Sequence, residues 1–262
     1  MLCVHGDQHN YSGIGLSITP SYIRHDCLGN CSRAVIGDVV IYRASRDIGS
    51  GAPIFVPYFP AWMEVEERQG RLSCYDIYCI CFLCQSQMGD KNYHDERLAA
   101  VGALFGTLPT TEDILQNPPK AIQELEELCT HLERTYVDHP TIQPRFHSAG
   151  KFALLGTCYQ LLGNREKQLE SSLRGLSALG FDAKVDAIGH LFIMRHGHYD
   201  RENVAKLAEM QASSLQADGL VTQAATWRLL AGKALDIRFG HWSFTDYSIF
   251  GRERPKDTSN TD

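Results

Sequence analysis

Several common signatures are missing from this chain. No apolar run approaches the roughly 20 residues that a membrane span needs. The opening residues Met1-Leu2-Cys3-Val4-His5-Gly6-Asp7 carry neither a basic region nor an apolar stretch, which argues against a secretory leader. Gly-x-Ser-x-Gly, the Walker phosphate loop and His-Glu-x-x-His are all absent. Positive charge is scarce too. The 262 residues hold 25 Lys and Arg against 31 Asp and Glu, a net charge of −6. That balance excludes a protein that holds nucleic acid by bulk charge. At 44% hydrophobic and 21% charged residues, the chain is neither disordered, collagen-like nor a coiled-coil rod. The expectation is a soluble intracellular protein, cytoplasmic or nuclear, of one or two domains, with no nucleic-acid and no membrane partner. No pattern in the sequence specifies an oligomeric state.

Cysteine, by contrast, is plentiful, at nine residues. In a reducing compartment disulfides are a poor explanation, which leaves buried free thiols or a metal site. Three of the nine form Cys79-Ile80-Cys81-Phe82-Leu83-Cys84. Zinc is tetrahedral and favours thiolates, so this run can supply three corners. By composition alone Cys3, Cys27, Cys31 and Cys74 all compete for the fourth. A redox Cys-x-x-Cys is disfavoured, because no strand-to-helix context surrounds it. A closed four-thiolate site would be structural.

The chain changes character near residue 90. Val35-Ile36 and Val39-Val40-Ile41-Tyr42 flank Gly37-Asp38, a hairpin pattern. Gly49-Ser50-Gly51 marks a turn. In the apolar run 53–59, Pro57 is expected to end a strand or mark a bulge. Helical periodicity then takes over. Ile122, Leu125, Leu128, Cys129, Leu132 and Tyr136 mark a helix over 119–136. Phe146, Ala149, Ala153, Leu154, Cys158, Leu161 and Leu162 mark one over 146–162, ended by Gly163-Asn164. Leu169, Leu173, Leu176 and Leu179 mark a third, ended by Gly180, and 203–217 and 220–238 give two more. The pair 146–180, with Gly156 and Tyr159, suggests a tetratricopeptide-like hairpin, an architecture that presents a face to a partner. The aromatic residues Phe239, Trp242, Phe244, Tyr247 and Phe250 are expected to cap the core. His196-Gly197-His198 reads as an interhelical loop, Arg195, His196, His198 and Arg201 as a surface basic patch, and Glu124, Glu126 and Glu127 as a solvated face.

Ordered motifs in the first part resemble SET-domain methyltransferases. Arg24-His25-Asp26-Cys27-Leu28-Gly29-Asn30 is similar to the family's Asn-His-Ser-Cys-x-Pro-Asn segment. Ile36-Gly37-Asp38 and Arg43-Ala44-Ser45-Arg46-Asp47-Ile48 resemble its Ile-Gly-Asp and Arg-Ala-x-Arg-Asp-Ile stretches. The run 51–58 resembles Gly-Glu-Glu-Leu-Thr-Phe-x-Tyr, and Glu66-Glu67-Arg68 resembles the helix before the post-SET cysteines. The pattern is that of SET-and-MYND proteins and of fungal SET proteins with C-terminal tetratricopeptide helices. The resemblance implies an α+β chain. A truncated SET-like β domain with a zinc-bound post-SET segment would occupy 1–90. An all-α tetratricopeptide-like domain would occupy 91–250, and a disordered tail 251–262. It also implies the fourth ligand, so that Cys27, Cys79, Cys81 and Cys84 hold one structural zinc. Tyr58 matches the family's catalytic tyrosine.

Departures from the family pattern bear on function. The asparagine that holds S-adenosylmethionine is replaced by Arg24, the serine by Asp26 and the proline by Gly29. Gly13-Ile14-Gly15 is not the family's cofactor loop. A buried Arg24 beside Asp26 would repel the sulfonium cation, so S-adenosylmethionine is not expected as a cofactor. The reading that follows is a repurposed fold. An apolar cleft between the halves would take a small apolar metabolite and cyclise or isomerise it without a cofactor, in fungal secondary metabolism. Tyr58, His25 and Arg24 would polarise a carbonyl there. The alternatives are a SET-family protein-lysine N-methyltransferase, and a non-catalytic module with a protein partner on the helical face.

Overall fold

The computed structural model describes residues 18–36, 39–89, 95–97, 99, 102, 109–136, 144–197 and 201–239. A short 3₁₀ turn at Thr19–Tyr22 leads into β1, Arg24–His25. β2, Cys31–Ile36, and β3, Val39–Ala44, pair antiparallel with Ile36 opposite Val39. This is the expected hairpin, although Gly37 and Asp38 lie outside the described residues. β4, Phe55–Val56, runs parallel to β1, with Arg24 opposite Phe55 and His25 opposite Val56. Pro57 follows at once and ends the strand, as its missing N–H requires.

Two helices complete this half. α1 is Val65–Ser73 and buries Val65, Arg68 and Leu72, an i, i+3, i+7 stripe. α2 is Phe82–Gly89 and contains Cys84. Its apolar core is Cys27, Val65, Leu72, Cys79, Leu83 and Cys84.

The remainder is mostly helical: α3, Thr111–Gln116; α4, Pro118–Arg134; α5, Phe146–Leu161; α6, Arg165–Ala178; α7, Arg201–Ala217; and α8, Val221–Phe239. The starts are sequence-encoded. Thr110 forms a capping box with Asp113, and Asn117 and Asn164 cap α4 and α6. Gly163 takes φ +68 after α5, a conformation that glycine adopts without strain. Consecutive helices pack on one another, and α7 also lies on α5 and α6. Close approach is made possible by two glycines, Gly156 facing Met210 and Gly175 facing Leu207. Phe152, Leu176, Leu207 and Trp227 are fully buried in this core.

Two expectations are corrected here. The expectation of an all-α part is modified by a hairpin between α6 and α7, β5, Asp182–Val185, with β6, Leu191–Arg195, and His196-Gly197 lies in the loop after it, as expected. Within α5 the buried set is Ser148, Ala149, Phe152, Leu155, Gly156, Cys158 and Tyr159, with Phe146, Ala153 and Leu154 packed partly buried against the core, whereas Leu161 and Leu162 are exposed. The helix contacts α4, α6 and α7 together, so its burial wraps round more than one face. Tetratricopeptide-like geometry finds no separate support beyond the helical packing.

The two halves touch. α8 packs on β2 and β3, and Phe146 packs against both apolar cores. Among the described residues no helix is long and apolar enough to cross a membrane. Gly13–Gly15, Cys3, His198 and the aromatic residues 242–250 lie outside the described residues, as does the tail 251–262.

Candidate metal centre and the residues around it

Two segments of chain, the turn after β1 and the run 79–84, bring four thiols together. Cys27 sits just after β1. There Asp26 Oδ1 accepts from Leu28 N–H at 2.7 Å and Gly29 N–H returns to Asp26 O at 3.1 Å. Asn30 then knots this turn to the 53–55 segment. Its Nδ2 donates to Pro53 O and its Oδ1 accepts from Phe55 N–H, both at 2.8 Å. Gly29 is required by that closeness, because an added Cβ would stand 2.7 Å from Phe55 O. The departure from the family's proline thus has a local packing reason.

Cys79 is clamped by α1. Gln69 Nε2 donates to Cys79 O at 2.6 Å, and Cys79 N–H donates to Gln69 Oε1 at 3.0 Å. Cys81 immediately precedes α2 and Cys84 lies in its first turn, so the helix start faces both sulfurs. Helix N-termini favour thiolates.

The four Sγ atoms all lie within 4.8 Å of one another. Cys27 is 3.5 Å from Cys84 and 3.9 Å from Cys79. A tetrahedron with Zn–S bonds of about 2.3 Å has edges of about 3.8 Å, so the quartet fits zinc as it stands. Without a metal, four crowded thiols cannot all ionise. Hydrogen bonding to Cys81 pushes Cys27 far above the usual thiol range, and the bond from Cys27 holds Cys81 far below it. Burial pushes Cys79 up to about 12. Cys27, Cys79 and Cys84 are buried and Cys81 is half-buried. A closed four-thiol set leaves no open position for water, so its role would be structural.

Of the other cysteines, Cys31 is buried in β2, Cys74 is exposed after α1, and Cys129 and Cys158 are buried in the helical core.

His25 and Tyr58 lie against this centre. His25 Nδ1 accepts from Tyr58 N–H at 3.0 Å, and its Nε2 is 3.3 Å from Cys27 Sγ. An accepting Nδ1 assigns the proton of the neutral ring to Nε2, which then donates towards the sulfur. Burial lowers the His25 pKa and raises that of Tyr58. Their rings meet edge to face at 5.1 Å, and Tyr58 Oη donates to Ile23 O at 2.6 Å.

Arg24 does not join them. Alternation along β1 turns it outwards, and it is exposed. The expected buried pair of Arg24 with Asp26 is therefore absent, and so is the buried charge that would repel a sulfonium. His25 and Asn30 are occupied in framing the loop.

Arg68, Gln69 and Gln87 were not among the expected site residues. The stripe Val65–Arg68–Leu72 was the available signal, since it places Arg68 on the apolar side of its helix. The pair His196-Gly197 is structural: Gly197 lies against the backbone of 179–181, and His196 meets Phe181 edge-on at 6.0 Å.

No protein-family model matches the chain. It is 30% identical over 120 residues to the histone-lysine N-methyltransferase SMYD3 of Homo sapiens, a span of 45% of this chain and 25% of that protein. The SMYD3 of Mus musculus matches at 29% over the same extent of 120 residues. A protein named methyltransferase from Gibberella zeae matches at 28% over 184 residues, 66% of this chain and 24% of the relative. The chain is SET- and SMYD-like. It spans about a quarter of the length of the curated relatives it matches. Those relatives agree with the methyltransferase alternative rather than with cofactor-independent cyclisation. Neither the geometry nor the comparisons favour cyclisation or secondary metabolism.

Proposed function

We propose that this chain serves methyl transfer from S-adenosylmethionine to a protein lysine, as the zinc-clipped part of a SET-and-MYND-type enzyme. The supporting observation is the junction of Tyr58 with His25 at the four-thiol centre. S-adenosylmethionine supplies the methyl group when bound. The chain's own residues set the frame. The thiol quartet anchors the turn after β1 to the start of α2. His25 ties that turn to the Tyr58 backbone, and Ile23 O fixes the direction of the Tyr58 hydroxyl. A hydroxyl held in this way can orient a lysine amine without reorganising. The exposed position of Arg24 removes that residue's charge from opposition to a sulfonium. The names of the relatives give the reaction class.

The test uses the full chain, zinc-loaded, with methyl-labelled S-adenosylmethionine and a mixed histone substrate. Label is expected on lysine. Tyr58→Phe should reduce its incorporation about a hundredfold while zinc content stays unchanged. Absence of any binding heat at millimolar S-adenosylmethionine would overturn the reading.

A further inference from the structure

Among the described residues, Arg68 is a buried cation with no carboxylate partner. Its side chain is fully excluded from solvent. Nη1 donates to Ala61 O at 3.1 Å and to Met63 O, and Nη2 donates to Gln87 Oε1 at 2.6 Å. All three acceptors are neutral. Nε is buried with no partner. None of the ion pairs found among the described residues includes this guanidinium.

Burying a permanent charge among neutral groups is strongly unfavourable unless an anion lies close. The groups here that can become anions are thiols. Nη2 is 3.7 Å from Cys84 Sγ, which in turn is 3.5 Å from Cys27 Sγ. Four thiolates around one divalent ion leave a centre with two surplus negative charges. A buried dianion and a buried cation in contact each lower the other's penalty.

We propose that Arg68 is the internal counter-cation of the metal centre. It is a positioning residue that offsets one of the two surplus charges. Through Ala61 and Met63 it also ties the loaded centre to the segment that follows Tyr58. The inference rests on reading the four thiols as a zinc site. Residues outside the ligand set that orient or neutralise it commonly carry ten- to hundredfold of metal affinity.

The test is equilibrium competition for zinc against a chromophoric chelator. It compares the wild-type chain with Arg68→Gln, Arg68→Lys, Cys81→His and the double variant Arg68→Gln/Cys81→His. Cobalt spectra of the same proteins report the tetrahedral ligand set. Arg68→Gln should weaken zinc about ten- to hundredfold. Arg68→Lys should recover part of that loss, since it keeps the charge and loses only the fork. Cys81→His keeps a tetrahedral ligand set of three thiolates and one imidazole and lowers the surplus charge to one. In that background Arg68→Gln should cost much less.

A packing role alone predicts equal losses in both backgrounds, and equal losses for Lys and Gln; either result overturns the proposal. If Arg68→Gln alone does not fold, recovery of fold and zinc in the double variant supports the proposal, and its absence overturns it. A wild-type chain that binds neither zinc nor cobalt removes the zinc reading itself. Wild-type binding with unchanged affinity in Arg68→Gln removes only the role of Arg68.

Discussion

The sulfurs of Cys27 and Cys84 stand 3.5 Å apart although 57 residues separate them in sequence. That contact closes a long loop containing the β2–β3 hairpin, β4, Tyr58 and α1. A metal bound there would hold the loop shut far more firmly than its small apolar core does.

Zinc should therefore accompany the protein at one ion per chain. Cys81→Ala should abolish stoichiometric zinc and raise hydrogen exchange across residues 20–90, leaving exchange in α4–α8 unchanged. Elemental analysis and amide exchange read both effects. Full zinc retention in that variant would rule out Cys81 as a ligand.

Gly29→Ala places a methyl carbon 2.7 Å from the Phe55 carbonyl oxygen and 2.9 Å from Pro57 Cδ. Backbone rather than a flexible side chain must yield, so a loss of about 1–3 kcal/mol is expected. Thermal unfolding of the zinc-loaded protein measures it.

Phe152 is fully buried, and Arg174 lies over its ring at 4.5 Å. Phe152→Ala should cost about 3–5 kcal/mol. The urea midpoint of the helical signal reports the change, while zinc content should stay constant.

Alkaline pH should weaken the helical half. Burial pushes the Cys129 thiol up to about 12 and the Cys158 thiol up to about 11, from an ordinary 9.0. Above pH 9 the unfolded chain releases these protons and the folded chain keeps them. The folded state then binds more protons, and stability falls as pH rises from 9 towards 12. Below pH 9 neither thiol contributes a slope. Urea midpoints at pH 8 and pH 10.5 should differ less in Cys129→Ala than in the wild type, with Cys158 and the buried hydroxyls of Tyr136 and Tyr159, also pushed up by burial, contributing to the remainder.

Much of this arrangement was legible in the sequence. Val35-Ile36 and Val39–Tyr42 around Gly37-Asp38 announced the hairpin through β-branched alternation. α4 appeared with its buried face correct, because it packs on one side and its stripe is clean. Three thiols were legible from spacing alone; the fourth needed the family resemblance, since Cys27 and Cys31 look alike in composition.

What escaped was set by tertiary context. β5 and β6 stayed hidden because Phe192 and Met194 point to solvent, so the apolar run does not alternate as a half-buried strand should. α5 was placed with most of its face right and only its last two leucines, Leu161 and Leu162, wrong, since three neighbours bury it from different directions. Arg24 was misjudged because its burial depends on which way a two-residue strand faces. Arg68 was passed over because arginine on a helix is usually solvated. Its place on the same stripe as Val65 and Leu72 was the clue.

The contact of α8 with β2 and β3 joins the last described element to one of the first. A ribosome releases the hairpin long before it releases residue 239. Until then the hairpin lacks its cover, and its exposed strand edges are open to wrong partners. Maturation of the first half is thus timed by completion of the second. Truncations within α8 should be felt first as aggregation of the nascent amino-terminal half.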